Sequence, residues 1–146
     1  MGKVKVAITI DASPATVWEE VGRIERHVDW MVDAVAIRFT SKTTRGVGTT
    51  FDCDTKVGPV RLTDKMEVTE WREGRTMGVR HVGVVTGTGR FTLKRARRGR
   101  TRFAWEERLT YPLWMGGRIG GLVGDRIMGL VWKRNLKSLA RTVEGR

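Results

Sequence analysis

Residues 3–10, KVKVAITI, alternate Val4, Val6, Ile8 and Ile10 with Lys3, Lys5 and Thr9, the pattern of a strand with one buried face. Asp11-Ala12-Ser13-Pro14 then marks a helix start. Ser13 is suited to cap the first free amides, and Pro14 suits the first helical position, where no N–H is needed. A helix over about 14–22 buries Val17, Trp18 and Val21. A second short helix over about 24–31 carries Ile24, Val28, Trp30 and Met31.

After residue 33 the apolar period changes to two. Val35, Ile37 and Phe39 share one face of 34–40. Phe51, Cys53 and Val57 share one face of 48–57. Val60, Leu62, Met66 and Val68 share one face of 60–70, with Asp64 among them. Met77, Val79 and His81 line up in 75–83, Phe91 and Leu93 in 87–95, and Phe103, Trp105, Glu107 and Leu109 in 101–110. Turn residues separate these runs: Arg45-Gly46, Gly58-Pro59, Glu73-Gly74, Gly83 to Gly89 and Arg98-Gly99. The pattern predicts an antiparallel meander, which Tyr111-Pro112 ends because proline cannot continue a ladder.

Residues 116–144 return to a helical period in two phases. Met128, Trp132, Leu136, Leu139 and Val143 lie on one face. Ile119, Leu122, Val123 and Ile127 project to nearly the opposite side at about 100° per residue. Either the helix kinks near Gly129, or its first half meets different neighbours. Gly116, Gly117, Gly120, Gly121 and Gly124 make that half a poor helix former without tertiary support.

The 146 residues contain no repeat, linker or low-complexity tract, so a single domain over 1–146 is expected. No segment reaches the length of a membrane span. The N-terminus shows no secretory h-region, which predicts a cytoplasmic location. Cys53 is the sole cysteine, so no intrachain disulfide forms. With two histidines and no ligand spacing, neither a metal site nor a cofactor is expected.

Charge changes the picture. Residues 1–73 hold 11 Lys/Arg and 12 Asp/Glu, a net of −1, whereas residues 74–146 hold 17 and 4, a net of +13. Lys94, Arg95, Arg97, Arg98, Arg100 and Arg102 crowd one hairpin tip with no acid between them. They are either a solvated turn or a contact for RNA phosphates or an acidic membrane surface.

Ile10-Asp11-Ala12-Ser13-Pro14-Ala15-Thr16-Val17-Trp18, Asp29-Trp30-Met31, Gly46 to Phe51, Val68-Thr69-Glu70-Trp71, Gly117 to Asp125 and Asn135 to Leu139 occur in an order that resembles the polyketide cyclase/dehydrase-like branch of the START-like (SRPBCC) superfamily. The resemblance implies an α+β helix-grip fold. Its curved antiparallel sheet has about seven strands, with two short helices after the first, and wraps around a long C-terminal helix. It also implies a cavity between sheet and helix. Parity then assigns Phe51, Cys53, Met66, Val79, His81, Phe91, Phe103, Trp105 and Glu107 to the cavity wall, with Ile119, Val123 and Ile127 closing it from the helix. Trp30, Trp105 and Trp114 are the indoles with a place in such a wall, while Trp18, Trp71 and Trp132 read as packing.

His81 is either an acid/base group or a hydrogen-bonded core histidine. Glu107, beside Trp105, either faces inward and needs a partner, for which Arg126 on the helix is a candidate, or is turned outward by a bulge. Asp64 is a further carboxylate on the inward face. Cys53 reads as a small buried hydrophobe. The leading expectation is a protein that binds a small hydrophobic or amphipathic molecule without catalysis. The alternatives are a cyclase/dehydratase-type enzyme using His81 and Glu107, together with Asp64 or Arg126, to move protons on a polyketide-like substrate, and an adaptor docking on RNA or an acidic membrane.

Overall fold

The computed structural model describes residues 2–113 and 117–145, with the side chains of 117–119 left out. Strand β1 (Gly2–Ile10) leads into α1 (Pro14–Val21), a 3-10 turn (Ile24–Arg26) and α2 (His27–Trp30). The strands β2 (Ala34–Phe39), β3 (Thr50–Val57), β4 (Val60–Arg72), β5 (Thr76–Val82), β6 (Thr86–Arg95) and β7 (Thr101–Thr110) follow. The chain then forms α3 (Gly117–Glu144). All neighbours pair antiparallel in the order β1-β7-β6-β5-β4-β3-β2, a meander whose last strand returns beside the first. This is the helix-grip fold.

The local signals explain most boundaries. Ser13 is extended at φ −68°, ψ 156°, and its hydroxyl accepts a hydrogen bond from the Thr16 amide, with Pro14 opening α1. The second expected helix is shorter than 24–31, because a tight 3-10 turn occupies its first three residues. The long helix is a single continuous element, so the phase change within it reflects different neighbours.

The second half of α3 buries Trp132, Leu136, Leu139 and Val143 under the sheet and α1. The first half leaves Leu122, Val123, Ile127 and Leu130 largely exposed. Asn135, fully buried on α3, ties the helix to the segment after α2. Its Nδ2 donates to Asp33 (2.7 Å), and its Oδ1 accepts from the Val32 amide (2.9 Å).

Two bulges break the strand parity. One between Ala34 and Ala36 turns Ala34 inward and leaves Val35 exposed, so Val35 does not share the inner face of Ile37. The other, between Val68 and Glu70, brings Trp71 to the face of its partner Met77, where its ring meets Trp18 edge-on at 5.3 Å. No helix among the described residues is long and apolar enough to cross a membrane.

Candidate functional site

Sheet and α3 enclose a cavity of about 490 Å³. Its wall is mostly apolar, with Ile37, Phe51, Cys53, Leu62, Met66, Val79, Phe91 and Leu109 from the strands and Ile127, Met128 and Trp132 from α3. The lining reaches solvent where the β3–β4 hairpin, Val57 to Val60, and Ile127 of α3 both take part; Val60 and Ile127 are 46% and 44% exposed.

Within this wall lies one compact polar cluster. The His81 ring nitrogens each point at a carboxylate: Nδ1–H donates to Asp64 (2.9 Å) and Nε2–H to Glu107 (2.9 Å). Glu107 also accepts from the indole N–H of Trp105 (3.0 Å). Burial opposes a charge on His81. The hydrogen bonds and charges of Asp64 and Glu107 outweigh it and push the imidazole up to about 10, so at neutral pH it is an imidazolium between two carboxylates.

Strand register explains how the three meet. Asp64 lies opposite Cys53, and Met66, two residues on, lies opposite His81, so β4 and β5 bring Asp64 and His81 together diagonally. Glu107 stands on β7, two strands from His81, roughly 9–10 Å at the usual strand spacing. A side chain on β6 would fill that gap. The inward positions of β6 there are Gly87 and Gly89, paired with His81 and Val79 on one side and with Leu109 and Glu107 on the other. A Cβ on Gly89 would collide with both Glu107 carboxylate oxygens. Gly87 has φ +136°, and its Cβ would strike the Arg108 carbonyl, so β6 takes glycine at both places. Gly89 thus leaves the space in which Glu107 meets His81.

Asp33, 8% exposed, is a third carboxylate in the wall; burial raises its pKa against the hydrogen bond from Asn135. His27 also lines the cavity. Burial pulls it down to about 4, so it is a neutral imidazole whose Nε2–H donates to the Val21 carbonyl (2.8 Å). Burial pushes the Cys53 thiol up to about 11, which leaves it protonated and unreactive. Trp105 stacks on Trp132 at 4.9 Å and meets Trp30 edge-on at 6.1 Å. Tyr111, just after β7, lies over Gly121 and Gly124 of α3, and its hydroxyl has no partner among the described residues.

Phe51, Cys53, Met66, Val79, His81, Phe91, Trp105, Glu107 and Ile127 line the cavity, as does Asp64. Several expectations need correction. Phe103 is fully buried but does not line the cavity; Trp30 covers it edge-on at 6.4 Å, and Phe91 packs beside it. Val123 is 55% exposed and does not line the cavity, lying on the face of α3 turned away from the sheet. Arg126 is exposed and is not the partner of Glu107, whose bonds go to His81 and Trp105. Trp132 is a cavity residue as well as a packing one, and Trp30 is buried behind the wall. The Ile119 side chain and Trp114 lie outside the described residues.

Sequence reasoning missed Asp33, Asn135 and Gly89. Glycine at an inward strand position, next to an inward carboxylate on the neighbouring strand, is the signal that would have found Gly89.

The basic segment occupies the β6–β7 hairpin tip, where Arg98 adopts φ 62°. Lys94, Arg95, Arg97, Arg98 and Arg102 are exposed and Arg100 is half-buried; none forms an ion pair among the described residues, and none lines the cavity. Among the described residues no group of His, Cys, Asp and Glu is arranged to hold a metal ion.

The family model for polyketide cyclase / dehydrase and lipid transport matches residues 1–144, and the chain belongs to that family. Its architecture is similar to a START superfamily protein from Mycobacterium smegmatis (14% identity, 98% of this chain and 97% of that one, TM-score 0.81). It is also similar to the protein TTHA0849 from Thermus thermophilus (16% identity, 99% and 98%, TM-score 0.76). A third similar structure is the Zhui aromatase/cyclase from Streptomyces sp. R1128 (14% identity, 98% and 93%, TM-score 0.75). A comparison with curated proteins finds no match.

Proposed function

We propose that this protein binds a small amphipathic molecule in the cavity, with the apolar body against the aliphatic and aromatic wall and one polar group at the Asp64–His81–Glu107 cluster. The observation that carries this reading is the cavity itself: about 490 Å³, mostly apolar, with Asp64, His81 and Glu107 joined in one polar cluster of its wall. That is the composition of a small-molecule site, where apolar walls supply affinity and a few polar groups fix orientation. Two measurements test it. Native mass spectrometry of protein from its own host is expected to show a retained small molecule. An apolar probe is expected to shift the tryptophan emission, and the double variant Trp105→Phe/Trp132→Phe, which removes both indoles of the wall, is expected to lose most of the shift. A full response in that variant would show that the probe binds elsewhere.

A second reading is an acid/base enzyme of the cyclase/dehydratase type, the chemistry named for the similar Zhui aromatase/cyclase. The buried carboxylate–imidazole–carboxylate row favours it, since such a row passes protons between its ends. His81, holding a proton on each nitrogen, is not the base at neutral pH; that role falls to Asp64, the cluster's more exposed carboxylate. Proton abstraction from an activated carbon would then be followed by its return from the same carboxyl. On this reading, an aryl 1,3-diketone in deuterated buffer exchanges its methylene protons faster with the protein than without it. Exchange at the buffer rate with saturating protein would leave only the binding reading.

A further inference from the structure

The cavity's titratable groups are unevenly balanced. Asp33, Asp64 and Glu107 are the carboxylates in its wall, and His81 is the protonated group among them. His27 is neutral. The guanidinium of Arg90, whose residue also borders the cavity, is exposed and paired with Glu70 (3.1 Å). Two carboxylates against one imidazolium leave the cluster with a net charge of −1, inside an apolar wall where a charge is felt more strongly than in water.

The charge is accessible at one end. Both Glu107 oxygens are engaged, by His81 and Trp105, and its side chain is 7% exposed. Among the described residues Asp64 receives a single N–H, shared over its two oxygens at 3.0 and 2.9 Å, and its side chain is 17% exposed. A carboxylate has about four acceptor sites, so Asp64 retains capacity for further donors. Tyr111 adds a hydroxyl without a partner among the described residues, packed against Gly124 in the same wall.

We propose that the cavity selects a ligand with a protonated amine on an apolar body, the ammonium docking on Asp64 and the body lying against Trp105 and Trp132. This deepens the binding reading above and rests on it. An ammonium neutralises the cluster and offers three N–H donors to acceptors already in place. A carboxylate or phosphate would add a second negative charge to a buried one and, among the described residues of the wall, find no free cation to meet it. The formal charge of +12 makes the idea easy to separate from surface effects. The field of the whole molecule repels cations and attracts anions, so a preference for a cation comes only from a local site.

The test uses three probes of nearly one shape: 1-naphthylmethylamine, 1-naphthylmethanol and 1-naphthoate, titrated calorimetrically at pH 7. The amine is expected to bind at least tenfold tighter than the acid, and its lead to persist at 0.5 M salt, where exposed charges are screened within about 4 Å. In Asp64→Asn, checked for folding by circular dichroism, the amine-to-alcohol affinity ratio is expected to fall at least tenfold. If that variant does not fold, Asp64→Ser takes its place; if neither folds, the parent's amine-to-acid ratio carries the decision. An acid that binds as well as the amine, or a ratio unmoved in the folded variant, overturns the head-group assignment while leaving the cavity reading intact. Failure of all three probes to bind the parent overturns both.

Discussion

Glu106 and Glu107 are adjacent on β7 and face opposite worlds. Glu106, on the outer face, has a side chain 32% exposed and shares Lys3 and Arg108 at 3.6 and 3.5 Å. Its surroundings repeat across the sheet's outer face, where Arg38–Asp54, Lys65–Asp52, Arg80–Glu67 and Arg90–Glu70 form cross-strand pairs among long, half-exposed side chains. Glu107, on the inner face, holds the His81 imidazolium in a wall of hydrocarbon. The groups are alike and the solvent is not. Outside, water and salt already satisfy each charge, so a pair adds little. Inside, each charge depends on its partner, so the pair is costly to break and shapes what enters the cavity.

The sharpest way to break the comparison is to truncate both residues. Glu107→Ala is expected to cost about 3 kcal/mol in urea denaturation, because it leaves a buried imidazolium with one carboxylate and the Trp105 N–H with none. Glu106→Ala is expected to cost less than about 1 kcal/mol. Equal losses would mean that the inner cluster is far wetter than its burial indicates.

Gly89→Ala comes next. The methyl group takes the space of the Glu107 carboxylate, so either Glu107 moves off His81 or the strands part. A loss of about 2 kcal/mol is expected, as for other overpacked interiors. Combined with Glu107→Ala, the two costs are expected to be strongly non-additive, since the second change removes what the first displaces. Additive losses would show that Gly89 serves β6 alone.

A gentler probe is pH. His81 is raised from 6.5 to about 10 in the fold, so its contribution is fully present below pH 6.5 and is lost as pH rises toward about 10. Stability is therefore expected to decline between pH 6.5 and about 10, and His81→Gln is expected to flatten that decline. The buried His27 is lowered and acts below this window, while the Cys53 thiol, raised from 9.0 to about 11, adds to the decline near its upper end, since a raised thiol favours the folded state less as pH climbs past 9.0. A slope unchanged in His81→Gln would place the titration elsewhere.

The smallest effect is expected outside. Replacing Arg80 by Ala, which removes the partner of Glu67, is expected to shift stability by no more than about 0.5 kcal/mol, less at high salt. A larger change would show that the outer pairs act as a network.

What was readable in the chain follows from the geometry of a strand. Successive side chains alternate strictly, so the apolar runs place Phe51, Cys53, Met66, Val79, His81, Trp105 and Glu107 on the inner face without knowledge of any partner. The same rule fails at Val35, where a bulge inserts one residue and turns that side chain outward, and a second bulge before Glu70 sets the face of Trp71. Helical phase marks the buried stripe of α3 from Trp132 to Val143, yet the exposure of Leu122, Val123, Ile127 and Leu130 depends on how far the sheet extends beneath the helix.

The order of elements and the inward parity of His81 and Asp64 were legible in the chain, because they rest on local periodicity and on caps and turns within a few residues; the helix-grip architecture came from the family resemblance, and the direction of Glu107 stayed open between an inward carboxylate and a bulge. That the three form one cluster emerged only from the folded sheet. His81 lies 17 residues from Asp64 and 26 from Glu107, and their meeting depends on strand register across four strands and on the absence of a side chain at Gly89. Register is a property of pairs of strands, and charge in a cavity is a property of everything that surrounds it; neither is stored at a single position in the chain.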